Sequence, residues 1–283
     1  MAVAVVTDST CYLPRGVAAD HGIRVVPVQV IIGGQPFDET DDDQAERVAA
    51  ALADWQMVTT SRPSPERFSR AIVDAQEQGA DGVVIATLSA ALSATCESAQ
   101  LAAKEASLPV TVIDSGSIAM GLGFAVLDGA AAAASGASLD RVAEVIRRSA
   151  ERATVLFYVD TLEYLRRGGR VSAARAAVGQ ALQVKPLLRV ADGRVEMFDK
   201  VRTAGKALAR LAELTVEAAQ GRGVRIAVQH LAAAERADAL AAQLRGLLPG
   251  VSIVQCAVGG VVGAHVGPGM VAVVVSPEPD GTP

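Results

Sequence analysis

DGVVIATLSAALSATCESA, residues 81–99, is the stretch that decides the fold. Residues 82–88 form a short apolar run, which is typical of a strand buried on both faces, and the residues after Thr95 carry a helical pattern. Small side chains and the hydroxyls of Ser89 and Ser93 lie at the junction. A strand that runs through a small polar loop into a helix is the repeating unit of parallel α/β proteins, which bind ligands at this edge of the sheet.

The rest of the first half repeats this alternation of strand and helix. The predicted strands are residues 2–8, 23–32, 82–88 and 110–115, and the predicted helices include residues 38–54 and 63–78. Pro27 indicates an edge or a bulge in the second strand, because proline cannot donate to a ladder. Strands that alternate with helices predict a parallel sheet covered by helices on both faces.

The second half has a different order of elements. Residues 184–200 contain two strand-like runs around Asp192-Gly193, which is a strong signal for an antiparallel hairpin. TLEYLRRGG, residues 161–169, predicts a short helix ended by two glycines. GGVVGAHVGPG, residues 259–269, is interpreted as a loop because of its many glycines.

Length and element order together predict two domains. The chain has 283 residues, which is enough for two domains of ordinary size. We predict an α/β protein with a parallel-sheet N-terminal domain at residues 1–153 and a C-terminal α/β domain with a hairpin at residues 154–283.

Composition excludes several classes of function. The net charge is −5, whereas nonspecific nucleic-acid binding needs a basic face. The three cysteines are widely spaced, and their pattern fits neither a disulfide framework nor a zinc site. We therefore expect no nucleic-acid partner and no metal.

The N-terminus and the most apolar segment predict a location. MAVAVVTDST, residues 1–10, lacks the basic and apolar regions of a signal peptide. The alanine-rich segment at residues 125–135 contains Asp128 and is too short to cross a bilayer. We therefore expect a cytoplasmic protein without a membrane span.

Motifs for nucleotide binding and hydrolysis are missing or stand in the wrong context. GPGMVA, residues 267–272, fits G-x-G-x-x-A, but it opens a predicted strand instead of a helix. The sequence has no G-x-x-x-x-G-K-[ST] phosphate loop, no G-x-S-x-G elbow and no H-E-x-x-H. We therefore expect no cofactor and no ATP hydrolysis by this chain alone.

Three loops carry small hydroxyl residues: VVTDST at residues 5–10, VTTSRPSP at residues 58–65 and LSAALSAT at residues 88–95. The first and third follow strands of the predicted sheet, so they should lie along one edge. Hydroxyls and helix-start N–H groups suit an anionic head group, although each residue alone is better explained as a helix cap. His265 lies between glycines, where its ring can reach a pocket.

Taken together, these segments resemble the DegV family of bacterial lipid-binding proteins, which includes the FakB subunit of fatty acid kinase. The similarity extends along nearly the whole chain. The segments VTDST, TTSRPSP, LSAALSATCESA, VIDSGSIAMGLG, YLRRGGRVSAARA, VKPLL and GAHVGPG come in the family's order and spacing. Each segment is weak evidence by itself, but the series is highly specific.

The resemblance implies a long-chain fatty acid in an apolar tunnel, with its carboxylate near the domain interface. By motif position, the residues that approach this carboxylate are Thr60, Ser61, Ser93 and His265. The positions that hold the closed conformation or serve transfer with the kinase are Arg170 and Arg202. Arg62 and Asp8 are additional candidates. The sequence departs from the family at Ala90, Ala91 and Ala94, where glycines are usual, and at Arg62, where glutamine is common.

Three functions remain open from the sequence. The first is a carrier that binds the fatty acid and presents its carboxylate to an ATP-dependent fatty acid kinase for phosphorylation to acyl phosphate. In this function the basic segment at residues 166–175 would dock the kinase, and transient contact with a membrane would accompany exchange of the ligand. The second is a serine hydrolase that uses Ser93, His265 and a carboxylate such as Asp8. The third is a fatty acid sensor without a kinase.

Overall fold

The computed structural model of the chain describes residues 2–39, 44–171, 184–220 and 223–279. The strands are β1 (Val3–Asp8), β2 (Arg24–Val26), β3 (Gln29–Ile32), β4 (Gln35–Asp38), β5 (Val58–Ser61), β6 (Gly82–Thr87), β7 (Val110–Asp114), β8 (Thr154–Tyr158), β9 (Lys185–Ala191), β10 (Arg194–Val201), β11 (Val224–His230), β12 (Ser252–Ala257) and β13 (Val271–Pro277). The helices are α1 (Val17–Asp20), α2 (Gln44–Ala53), α3 (Pro65–Glu77), α4 (Thr95–Lys104), α5 (Met120–Ala134), α6 (Leu139–Arg152), α7 (Glu163–Arg167), α8 (Ala204–Ala219), α9 (Ala234–Leu247) and α10 (Gly260–Val266).

The chain divides into two compact units. Unit 1 comprises Met1–Gln29 and Ser61–Arg152, and unit 2 comprises Val30–Thr60 and Ala153–Pro283. The domains predicted at residues 1–153 and 154–283 were each continuous, whereas unit 2 also includes Val30–Thr60. Val30–Thr60 belongs to unit 2 because its helix α2 packs against α10.

Unit 1 is built on a parallel sheet with the strand order β2-β1-β6-β7, which confirms the predicted architecture. Alternate residues of its central strands enter two separate apolar clusters. Val5 and Val84 pack in the cluster that includes α5 and α6, whereas Val6 and Val83 pack in the cluster that includes α3 and α4. Both faces of the sheet are therefore buried, which explains why the strands are continuous apolar runs in the sequence.

Pro27 divides the segment that was predicted as one strand at residues 23–32. β2 ends at Val26, and β3 begins at Gln29 in a different sheet with the strand order β4-β3-β5. The backbone N–H of Val28 donates to Ser9 Oγ at 3.0 Å instead of joining a ladder. The prediction of a single strand was wrong, because Pro27 interrupts the ladder and the N–H of Val28 donates to a side chain instead.

Unit 2 contains a mixed sheet with the strand order β10-β9-β8-β13-β11-β12. β11 and β12 are parallel, and the other neighbouring pairs are antiparallel. The predicted hairpin is confirmed as β9 and β10. Asp192 and Gly193 both have positive φ, 48° and 72°, as a two-residue turn of type I′ requires.

The predicted loop at residues 259–269 contains a short helix, α10, and the prediction was wrong there. Its glycines were interpreted as loop residues, but Gly263 allows a close helix contact. A Cβ at Gly263 would lie 3.1 Å from Leu231 Cδ2 and 3.5 Å from Val48 Cγ1. The helix starts at a carboxylate, because the N–H of Val261 donates to Glu39 Oε1 at 2.7 Å.

Candidate functional site

The loops after β1 and β6 in unit 1 are joined by the Asp8 carboxylate. It accepts hydrogen bonds from Thr10 N at 3.0 Å, Thr10 Oγ1 at 2.6 Å and Leu88 N at 2.8 Å. The side chain is fully buried, and burial raises the pKa of the Asp8 carboxyl, although these hydrogen bonds oppose the shift. Asp8 therefore organises the edge of the sheet through bonds made within unit 1.

The loop that carries Ser93 is closed by its own hydrogen bonds. Ser89 N donates to Ser117 O at 2.8 Å, and Ser89 Oγ accepts from Ala91 N at 3.2 Å. Ser93 Oγ and Thr95 Oγ1 are 2.8 Å apart, so one of these hydroxyls donates to the other. When the buried Thr95 is the donor, the partly exposed Ser93 hydroxyl keeps a proton that can be donated to a ligand.

The alanines that replace family glycines fit this loop without strain. Ala90, Ala91 and Ala94 are not among the residues with positive φ, and Ala94 has a φ of −78°. A backbone at negative φ is open to any L residue, so these substitutions do not require a different loop path.

Arg62 and Ser61 make local contacts at the start of the segment before α3. Arg62 forms an ion pair with Glu97, and both side chains are well exposed. Ser61 Oγ lies 3.4 Å from the carbonyl oxygen of Arg62. The positive charge expected beside the head group is therefore partnered by a carboxylate within unit 1.

Unit 2 brings together Thr60 and His265, which are 205 positions apart in the sequence. Thr60 Oγ1 on β5 lies 2.9 Å from His265 Nε2 on α10. Burial lowers the pKa of His265 to about 4, and the nearby charge of Arg170 acts in the same direction. The imidazole is therefore neutral at neutral pH, and it faces a hydroxyl that can both accept and donate.

The other ring nitrogen of His265 is left without a partner. Nδ1 is buried and makes no hydrogen bond to any residue that the structure describes. In a hydrolytic triad this nitrogen would be oriented by a carboxylate. Here it has no such partner within the described ranges, and Asp8 is bonded to Thr10 and Leu88.

A polar cluster that the sequence did not predict supports the segment after His265. Asp160 accepts from Tyr158 Oη at 2.7 Å, from Lys185 Nζ at 2.6 Å and from Arg236 NH1 at 3.0 Å. Arg236 NH1 also donates to the carbonyl oxygen of Gly269 at 3.2 Å. Burial would raise the pKa of Asp160, but the hydrogen bonds from Lys185, Tyr158 and Arg236 outweigh it and lower the pKa.

The glycines of this segment are required by close approach. Gly267 has a φ of +74°, and a Cβ there would lie 2.1 Å from Tyr164 Cδ2. Gly269 has a φ of +89°, and a Cβ there would lie 2.1 Å from Asp160 Oδ2. The glycine pattern of GAHVGPG was the available signal for these contacts, because each glycine marks a place where another group approaches the backbone.

The two arginines assigned to closure or partner contact lie in different settings. Arg170 is partly buried, and its NH1 donates to Gly168 O at 2.5 Å. Arg202 is exposed between β10 and α8. Arg175, at the end of the predicted basic segment, lies outside the described residues.

No group of three or more His, Cys, Asp or Glu side chains that could hold a metal ion occurs in the described part of the chain. None of the described helices is long and apolar enough to cross a bilayer.

Fold and site together define a class: an α/β protein of two units with a neutral histidine–hydroxyl pair. The sequence model of the family described as "Uncharacterised protein, DegV family" matches residues 2–278. A DegV domain-containing protein of Streptomyces coelicolor is 49% identical over 275 residues, which cover 97% of this chain and 98% of the relative. The chain belongs to the DegV family.

The chain also matches solved structures of DegV proteins that are described as fatty acid-binding. A fatty acid-binding DegV family protein from Thermus thermophilus matches with a TM-score of 0.91 and 32% identity, covering 98% of this chain and 100% of that one. DegV from Bacillus subtilis, described as a fatty acid binding protein, matches with a TM-score of 0.88 and 30% identity, covering 98% and 100%. The recognition of the family from its motif series is confirmed.

Proposed function

We propose that this protein is a carrier that binds a long-chain fatty acid and holds its carboxylate at Thr60 and His265. The observation that carries the proposal is the hydrogen bond of 2.9 Å between Thr60 Oγ1 and His265 Nε2. Its support is the likeness of the whole chain to fatty acid-binding DegV proteins of Thermus thermophilus and Bacillus subtilis. Ser61 and Ser93 carry hydroxyls of the same chemistry and remain candidates for the same head group.

The energetics assign different tasks to the tail and the head group. Burial of each CH₂ contributes about 0.8 kcal/mol, so a sixteen-carbon tail supplies on the order of 10 kcal/mol before the costs of binding. A carboxylate without partners costs several kcal/mol to bury, or it becomes protonated. An apolar tunnel therefore provides the affinity, and the hydroxyls fix the orientation of the acid.

We propose that the bound carboxylate is presented to an ATP-dependent fatty acid kinase, which converts it to an acyl phosphate. This chain has no phosphate loop of the G-x-x-x-x-G-K-[ST] type, so ATP must be bound by a partner. Arg166 and Arg167 are exposed beside Arg170 and are the candidate docking residues, together with Arg202. A fatty acid sensor would share the pocket and differ only in lacking the kinase.

Transient contact with a membrane is a further part of the proposal. Trp55 and Met57 are 84% and 76% exposed, although both are large and apolar. They lie in one loop, where Met57 O accepts from Gly33 N at 3.1 Å. Tryptophan favours the interface between water and lipid, so this loop is where a carrier would touch the bilayer. We place its action in the cytoplasm.

The hydrolase is the weaker candidate. Ser93 is hydrogen-bonded to Thr95, and His265 Nδ1 has no carboxylate partner among the described residues. A nucleophilic serine needs a base that is oriented by a third group. We expect no turnover of a p-nitrophenyl ester; turnover that disappears in Ser93→Ala would establish the hydrolase instead.

The direct test of the carrier is native mass spectrometry of the purified protein, followed by denaturing extraction and lipid identification. We expect a co-purified fatty acid at about one per chain, because one head-group site is proposed. The delipidated protein should take up palmitate or oleate again. A chain that is empty when purified and stays empty with both acids would overturn the proposal.

A further inference from the structure

Gly168, at the end of α7, lies directly against the imidazole of His265. A Cβ built on Gly168 would be 2.2 Å from His265 Nδ1 and 2.9 Å from Cε1. Such distances do not occur in folded proteins, so any side chain at this position must displace the ring. The absence of a side chain at Gly168 is therefore a condition for the observed position of His265.

The adjacent glycine has a different reason to be there. Gly169 has a φ of +69°, and a Cβ there would meet no described atom within 4 Å. Gly168 is in the right-handed region, with φ −71° and ψ −12°, which every residue can adopt. Gly169 thus serves the turn of the backbone, whereas Gly168 serves the ring of His265.

The backbone of Gly168 is held on both sides. Its N–H donates to Tyr164 O at 2.9 Å, and its carbonyl oxygen accepts from Arg170 NH1 at 2.5 Å. α7 and α10 pack against each other. Gly168 is therefore a fixed surface, and the ring of His265 must adapt to it.

This contact determines which nitrogen of His265 carries the proton. Nδ1 is buried against Gly168 and has no acceptor within the described ranges, so a proton there would be an unpaired donor. Burial and the nearby charge of Arg170 oppose a second proton on the ring, so the imidazole carries only one. Nε2 can donate to Thr60 Oγ1, which leaves the Thr60 hydroxyl proton for a further acceptor.

We propose that Gly168 is a positioning residue that holds His265 as an Nε2–H donor to Thr60 and thereby sets the preference of the site for a carboxylate. The inference rests on the proposed function, because the carboxylate is the acceptor of the Thr60 hydroxyl. The relay runs from His265 Nε2–H to Thr60 Oγ1 and from the Thr60 O–H to the ligand. Removing its first donor weakens the second bond.

The test is Gly168→Ala, with Gly169→Ala as the matched control. In Gly168→Ala we expect palmitate to bind at least tenfold more weakly, by about the worth of one charge-assisted hydrogen bond, with little change for hexadecanol. Gly169→Ala should keep the palmitate-to-hexadecanol ratio of the natural protein. In ¹⁵N-histidine NMR spectra, His265 should be the Nε2–H tautomer in the natural protein and in Gly169→Ala. Gly168→Ala should lose this tautomer preference.

A second pair of variants keeps the inference testable if Gly168→Ala is unstable. His265→Ala removes the ring that the new methyl group would strike, so adding Gly168→Ala to it should change neither stability nor palmitate affinity. Equal losses from Gly168→Ala with and without His265 would overturn the inference. So would an unchanged tautomer and an unchanged palmitate preference in Gly168→Ala. If the natural protein binds no palmitate, the proposed function fails, but the NMR spectra still decide the role of Gly168.

Discussion

Two groups of polar side chains in this protein differ in how many of their hydrogen bonds are made to other residues of the chain. In unit 1, Asp8 accepts three hydrogen bonds from neighbouring loops, and Ser89 accepts from Ala91. In unit 2, His265 has one partner, Thr60, and a buried nitrogen with none among the described residues. The first group builds loops, and the second keeps capacity for a ligand.

This difference shows how a cluster of hydroxyls in a sequence should be interpreted. Ser89 and Asp8 accept hydrogen bonds from neighbouring loop residues, so these acceptors hold the loops together instead of binding a ligand. Hydroxyls with a remaining proton, such as Thr60 and the Ser93–Thr95 pair, are better candidates for an acid. The distinction is one of hydrogen bonds, which residue types alone do not reveal.

The largest expected effect is on the stability of unit 1. Asp8→Ala leaves the buried N–H of Leu88 and the Thr10 hydroxyl without an acceptor, so we expect a loss of about 3 kcal/mol in the free energy of unfolding. Urea unfolding followed by circular dichroism measures it. Thr60→Val should cost less, about 1–2 kcal/mol, because only the single N–H of His265 Nε2 loses its acceptor. Equal costs for the two variants would remove the contrast between the two groups.

The two groups should also respond to pH in opposite directions. His265 has a pKa lowered to about 4, so between about pH 4 and 6.5 the unfolded chain binds a proton that the folded chain does not. Stability therefore rises with pH through this window, and His265 contributes about 3 kcal/mol at pH 7 relative to pH 4. The raised pKa of Asp8 has the opposite sign, since the folded chain then binds the extra proton and stability falls as pH rises.

The pH prediction is checked by urea unfolding at several pH values on the natural protein and on His265→Gln. The variant should lose the part of the slope that lies between about pH 4 and 6.5. Asp8→Asn should lose the opposing part. A slope that is the same in all three proteins would show that neither group titrates as its surroundings imply.

The expected effect on affinity is smaller, and in the second group it is tested at Thr60. Thr60→Val should reduce the palmitate-to-hexadecanol affinity ratio about tenfold, because the methyl group that replaces the hydroxyl cannot donate. Ser89→Ala removes a hydroxyl of the loop-building kind and should leave the ratio unchanged while lowering stability. Calorimetric titration of the delipidated protein with palmitate and with hexadecanol measures the affinity ratio of each variant. A larger change of the ratio in Ser89→Ala than in Thr60→Val would reverse the assignment.

The smallest expected effect concerns an alanine that replaces a family glycine. Ala94 has a φ of −78°, so Ala94→Gly gains no conformational freedom that the loop needs and increases the entropy of the unfolded chain. We expect a loss of less than about 1 kcal/mol and an unchanged affinity for palmitate. A gain in stability would indicate that alanine strains this loop.

Much of the fold could be predicted from the sequence, for reasons visible in particular residues. The parallel sheet follows from apolar runs that are buried on both faces, and the hairpin follows from Asp192 and Gly193 at positive φ. The predictions were wrong where one residue type is compatible with two local structures. Pro27 ended a strand instead of bending it, and Gly263 served helix packing where it was interpreted as a loop residue.

The site could be predicted only in part. His265 and Thr60 are 205 positions apart, so their contact depends on tertiary packing that no local pattern reports. The family motifs supplied the two residues, and the structure supplied the bond between them. Gly168 and Asp160 were missed because their importance is steric or lies in a cluster assembled from distant segments. The continuous domains predicted at residues 1–153 and 154–283 did not include the packing of Val30–Thr60 with unit 2.

The central claim is that Thr60 and His265 receive a fatty acid carboxylate, and NMR of carboxyl-¹³C palmitate bound to the protein tests it most directly. A carboxylate that accepts hydrogen bonds has a lowered pKa. We predict that the bound carboxyl is ionised at neutral pH, with a pKa below that of palmitate in a bilayer, and that Thr60→Val raises this pKa. A bound carboxyl that titrates identically in both proteins would contradict the account.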